Sequence, residues 1–136
     1  MSTLSRPSVL IVDDNDLMRS LLRSMLRDSE YDVIGEARNG VAALELTERL
    51  RPKIVCMDVV MPEMNGLEAL QAIKARHPET IVIMLAGRPS VDHVRSSIEN
   101  GASGFVVKPF NAGKVLDTVD RAWRAARQAD NHDPAA

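Results

Sequence analysis

Ile54-Val55-Cys56-Met57-Asp58 is four apolar residues running straight into one acid, the form of a short strand with a charge at its carboxyl end. The same form recurs on either side of it. Val9-Leu10-Ile11-Val12 ends in Asp13-Asp14, and Phe105-Val106-Val107 ends in Lys108-Pro109. If these are neighbouring parallel strands, three carboxylates and one amine converge in the crevice beyond their carboxyl ends, where open α/β sheets bind ligands. Hard oxygen ligands at such a point suit a magnesium ion, and a carboxylate among them is placed to attack a phosphoryl group. A buried acidic cluster neutralised by one lysine would have the same sequence, so spacing alone leaves both readings open.

The 136 residues fit one domain, of a size that buries about two thirds of its unfolded surface. Seventeen Lys and Arg against nineteen Asp and Glu give a net charge of −2, so the chain has no basic field and direct nucleic-acid binding is disfavoured. Cys56 is the only cysteine, which excludes an internal disulfide and a multi-cysteine zinc site. Its place in an apolar run makes it a buried, inert thiol. No apolar stretch approaches the ~20 residues of a membrane span, and the segment before Val9 is polar rather than a signal peptide. No membrane insertion is expected, and the location expected is cytoplasmic.

Outward from these runs, short apolar segments alternate with segments of helical periodicity, which predicts repeated βα units around a parallel sheet. Five strands are expected, at Ser8 to Val12, Tyr31 to Ala37, Lys53 to Met57, Ile81 to Leu85 and Gly104 to Val107. The second is the most polar, as an edge strand should be. The first helix, Asp16 to Asp28 with Asn15 as its N-cap, sets Leu17, Leu21 and Met25 on one stripe beside Leu22 and Leu26. Core positions follow at Ala43, Leu46 and Leu50 in the second helix and at Leu67, Leu70 and Ile73 in the third. Val91, Val94 and Ile98 serve the fourth, which ends at Asn100-Gly101, and Val115, Val119 and Ala122 serve the fifth with Leu116 and Trp123 alongside. Residues 1–7 read as a flexible N-terminus, 8–127 as the folded domain and 128–136 as a disordered tail.

In this order, and with Met61-Pro62-Glu63-Met64-Asn65-Gly66 after Asp58 and Gly101-Ala102-Ser103-Gly104 before the fifth strand, the motifs resemble the receiver domain of two-component response regulators. The resemblance covers roughly Ser8 to Arg127. It implies a flavodoxin-like (βα)5 fold, a doubly wound parallel sheet of strand order 2-1-3-4-5. It further implies that Asp58 is the phosphoacceptor, taking a phosphoryl group from a phosphohistidine on a sensor histidine kinase or a histidine phosphotransfer protein. By the same resemblance Asp13, Asp14, Asp58 and the backbone carbonyl of Val60 bind Mg2+, and Lys108 binds the phosphoryl group. Pro109 matches the family's cis-proline position. The fourth helix, fifth strand and fifth helix would form the surface for a downstream protein partner. Such a domain is a signalling module rather than an enzyme, promoting its own phosphotransfer and dephosphorylation.

One position departs from the family pattern. Ala86 stands at the end of the fourth strand where the family has Thr or Ser, and by the same resemblance Phe105 would be the partnering aromatic of the switch. Without the hydroxyl, a phosphoryl group lacks one charge-assisted hydrogen bond, worth about 1.5 to 3 kcal/mol, so the switch is expected to be weakened while the chemistry survives. Gly87 and Arg88 are candidate modulators that would supply donors in its place.

The leading expectation is a stand-alone receiver, of use in chemotaxis, twitching motility or a phosphorelay. The alternative is the excised receiver of a larger regulator such as a transcription factor, with Arg127 to Ala136 opening a linker. A magnesium-dependent aspartyl phosphohydrolase is a third reading, disfavoured because Asp58-Val59-Val60 lacks the second acid that such enzymes carry. A flavodoxin would want phosphate-cradling donors where Asp13-Asp14 stands. Arg121, Arg124 and Arg127 read as a solvated face, and His77, His93 and His132 as surface residues.

Overall fold

A computed structural model of the chain describes residues 7–61, 64–87, 90–108 and 111–131. Pro62, Glu63, Arg88, Pro109 and Phe110 lie outside the described residues, so the modulator expected at Arg88 and the cis-peptide expected at Pro109 have no structural account. Ten elements alternate along the chain. They are β1 (Ser8–Val12), α1 (Asp16–Asp28), β2 (Asp32–Ala37), α2 (Gly40–Leu50), β3 (Ile54–Asp58), α3 (Gly66–Arg76), β4 (Ile81–Ala86), α4 (Val91–Glu99), β5 (Gly104–Val107) and α5 (Ala112–Asn131). The strands form one sheet in the order β2-β1-β3-β4-β5, all pairs parallel. This is the expected flavodoxin-like arrangement, with β2 and β5 at the edges.

Continuous apolar runs are what a strand covered on both faces requires, and β3 and β4 are buried at every residue. Successive side chains alternate between two cores. Ile54 and Cys56 join Leu22, Leu26, Val115 and Val119 under α1 and α5. Val55 and Met57 join Ala43, Ala69, Leu70 and Ile73 under α2 and α3. Full burial pushes the Cys56 thiol up to about 12, which makes it the inert core residue expected. The register aligns the carboxyl ends: Val12 pairs with Met57, Asp58 with Leu85, and Ala86 with Val107. Both Asp58 and Ala86 are therefore ladder residues, one position beyond the expected strand ends.

Periodicity leaves the rotation of the helices about their axes open. Leu17 and Leu21 of α1, expected on the core stripe, are 63% and 41% exposed, while Leu22 and Leu26 are fully buried. Arg19 explains the rotation. Its guanidinium reaches the Asp13 carbonyl and Glu36 of β2, and residues 19, 22 and 26 share one helix face, so anchoring Arg19 at the sheet turns Leu17 and Leu21 outward. In α2, Gly40, Ala43 and Thr47 are the buried positions and Leu50 is exposed.

In α4 the expected core residues Val91 and Ile98 are 72% and 52% exposed, and the one fully buried side chain is Ser97. The Ala102 amide donates to the Ser97 carbonyl at 2.9 Å, closing the end of α4 as the chain turns toward β5, and the small Ser97 side chain permits close approach. α5 continues to Asn131 instead of giving way to a disordered tail at Gln128. The run Arg124-Ala125-Ala126-Arg127-Gln128-Ala129 contains only strong helix formers, and no breaker follows before Pro134. His77, expected at the surface, is buried, with Nε2 3.1 Å from Glu48 Oε1.

Candidate functional site

Asp13 extends the β1 ladder by one residue, its amide donating to the Ala37 carbonyl at 3.0 Å, and its side chain is fully buried. The carboxylate is held at both oxygens. Oδ1 accepts the Asn15 amide at 2.9 Å, and Oδ2 accepts Lys108 Nζ at 3.0 Å. Asp58 ends β3 beside it, with Oδ2 3.3 Å from the same Lys108 Nζ and Oδ1 3.4 Å from the Val60 amide. Asp14 is exposed at the mouth. Asp13, Asp14 and Asp58 each present a carboxylate oxygen within 4.8 Å of the others. Sequence placed these residues at separate strand ends, and parallel register brings them into one pocket.

The charges in this pocket are unbalanced. Burial raises the pKa of Asp58, and although Lys108 opposes that shift, the neighbouring Asp13 adds to it. Burial acts against the charge on Lys108, but Asp13 and Asp58 outweigh it and hold the ammonium above its ordinary range. Among the described residues, three carboxylates against one ammonium leave a demand for a further cation, and an all-oxygen donor set at this spacing fits a hard divalent ion such as magnesium.

This imbalance has a consequence for stability. A carboxyl group whose folded pKa is raised contributes stability at low pH that is lost as pH rises through that pKa. In the absence of metal, Asp58→Asn is therefore expected to melt higher than the wild type at neutral pH, with the gap closing on acidification. Thermal melts across pH check this, and a gap that is absent at neutral pH or widens in acid would mean that the Lys108 pairing outweighs burial.

Val60 follows Asp58 by two and exposes its side chain. Ala86, buried at the end of β4, accepts the Lys108 amide at its carbonyl at 2.7 Å, which sets the lysine beside the β4 terminus. Gly87 borders open space: a Cβ there would meet nothing nearer than Lys108 Cδ at 4.0 Å. Phe105 is half-buried and packs on the same sheet face as Ala86 and Met84, pairing with Met84 in register.

Two further residues of the site escaped sequence reasoning. A Cβ on Gly66 would stand 2.2 Å from the Asp58 carbonyl oxygen and 2.8 Å from Val59 Cα, and the Gly66 amide donates to the Val59 carbonyl at 2.7 Å. The start of α3 thus packs directly on the backbone that carries Asp58. In sequence this glycine reads only as a turn residue. Arg19 is the other, its Nη1 donating to the Asp13 carbonyl at 2.7 Å. Its signal was an arginine six residues after the first acid.

The family model described as "Response regulator receiver domain" matches residues 9–120. The chain is 41% identical over 114 residues to the chemotaxis protein CheY of Listeria monocytogenes serovar 1/2a, covering 84% of this chain and 96% of that protein. Among solved structures, the signal receiver domain of a LuxO repressor protein from Vibrio parahaemolyticus superposes with a TM-score of 0.85 at 30% identity, covering 92% of this chain and 95% of that one. The chemotaxis response regulator CheY4 of Vibrio cholerae gives a TM-score of 0.78 at 32% identity, covering 86% and 98%.

Proposed function

The chain belongs to the response regulator receiver domain family, the signalling domains of two-component systems, and from that premise we propose that Asp58 accepts a phosphoryl group from a phosphohistidine. The donor is a sensor histidine kinase or a histidine phosphotransfer protein. The observation that carries the reading is the convergence of Asp13, Asp14 and Asp58 on one point with Lys108 against two of them.

In this reading Asp13, Asp14, Asp58 and the Val60 carbonyl would hold Mg2+, which would supply positive charge to the oxygens of the transferring group. Asp58 Oδ forms the new P–O bond as the P–N bond to the donor imidazole breaks, and the imidazole leaves with its electron pair and takes a proton. Lys108, held charged by its carboxylate neighbours, neutralises a further phosphoryl oxygen. Burial of Asp13 fixes its carboxylate in place before the reaction begins.

Acetyl phosphate tests the chemistry. With magnesium chloride present, intact mass and hydroxylamine lability are expected to reveal one acyl phosphate per chain, formed only with the metal. Labelling independent of magnesium, or on a residue other than Asp58, overturns the reading.

The output surface is α4, β5 and α5, where Val91, Ile98 and Val107 are exposed apolar side chains suited to a downstream protein partner. Coupling to that surface is weakened at Ala86, since a ligand shifts an equilibrium only by its differential affinity for the two states. Ala86→Thr is expected to enlarge the amide shifts that beryllofluoride and magnesium induce at Phe105 and along α4. Complete, saturating shifts already present with Ala86 would show that another group carries the coupling.

A further inference from the structure

We propose that Arg19 is a positioning residue for the metal-binding acids, holding the Asp13-Asp14 turn through the main chain of Asp13. The inference rests on Asp13 and Asp14 being the magnesium ligands proposed above. The Arg19 side chain is 14% exposed and spans three acceptors on three segments. Nη1 donates to the Asp13 carbonyl at 2.7 Å, Nε to Glu36 Oε1 of β2 at 3.2 Å, and Nη2 to Asp16 Oδ1 in the first turn of α1. A planar guanidinium with five donors can make this span, whereas an ammonium cannot.

The Asp13 carbonyl belongs to the rigid peptide plane that leads into Asp14, so fixing that oxygen fixes the direction in which Asp14 departs. Asp13 itself is secured at its amide by Ala37 and at its carboxylate by Asn15 and Lys108. Among the described residues Asp14 has no side-chain hydrogen bond, and the plane held by Arg19 is what places it. Arg23 supplies a control: it pairs with the same Glu36 through Oε2 but does not reach Asp13.

Charge and position give opposite signs here. Removing a cation close to a divalent site would, by Coulomb's law alone, tighten magnesium binding. Losing the held peptide plane weakens it, and loss of an outer-sphere partner of a metal ligand weakens affinity by about tenfold.

Magnesium chloride titrations followed by amide chemical shifts separate the two, using the wild type, Arg19→Ala, Arg19→Lys, Arg23→Ala and Asp14→Ala. Arg19→Ala is expected to bind about tenfold more weakly, Arg19→Lys to bind more weakly than the wild type despite its charge, and Arg23→Ala to remain close to wild type. Should Arg19→Ala fail to fold, Arg19→Lys carries the same comparison. Wild-type or tighter affinity in Arg19→Ala, or full affinity in Arg19→Lys, overturns the positioning role even if Asp14→Ala loses the ion. Magnesium binding that survives Asp14→Ala unchanged instead overturns the site reading on which the proposal rests.

Discussion

Asp58→Asn is expected to take up no phosphoryl group from acetyl phosphate and magnesium chloride under conditions that label the wild type, a loss in rate on the order of 10³ or more. The carboxamide oxygen is neutral and a far poorer nucleophile, and the substitution also removes one of the three carboxylates that face one another. Lys108 retains Asp13 as a partner at 3.0 Å, so the remaining side chains keep their places. The variant should be at least as stable as the wild type at neutral pH, because burial and Asp13 both disfavour the Asp58 charge. Loss of labelling with a raised melting temperature therefore identifies the nucleophile and excludes unfolding as the cause. Labelling at full stoichiometry would remove Asp58 from that role.

Gly66→Ala is expected to lower stability by about 3 kcal/mol, with a fall in melting temperature of roughly 10 °C. The added Cβ would lie 2.2 Å from the Asp58 carbonyl oxygen, a backbone atom that has no rotamer to escape into. Relief requires α3 and the end of β3 to separate, which also displaces the Asp58 carboxylate, so magnesium affinity should fall with stability. Gly87→Ala is the matched control, since its Cβ meets only Lys108 Cδ at 4.0 Å, and it should change stability by less than about 0.5 kcal/mol. Thermal melts of the two variants side by side decide the matter. Equal melting temperatures would mean that the α3 start accommodates a side chain and does not constrain Asp58.

Sequence by itself determined the strands, their order along the chain and the acids at their ends. An unbroken apolar run such as Ile54 to Met57 can be satisfied only by burial on both faces, which makes a central strand legible from composition alone. The family resemblance carried the strand order and the grouping of Asp13, Asp14, Asp58 and Lys108, and the structure brings those four together. Tertiary structure alone decided how the helices rotate. Leu17, Leu21, Leu22 and Leu26 are equally apolar, and periodicity offers α1 two stripes. The choice falls to Leu22 and Leu26 because Arg19 must reach a carbonyl on the preceding turn and a carboxylate on β2, contacts invisible to local spacing. α4 likewise buries Ser97 in preference to Val91 and Ile98, which periodicity alone would have turned inward. Hydrophobic burial is non-directional and leaves these helix faces nearly degenerate, whereas hydrogen bonds between distant residues are directional and select among them.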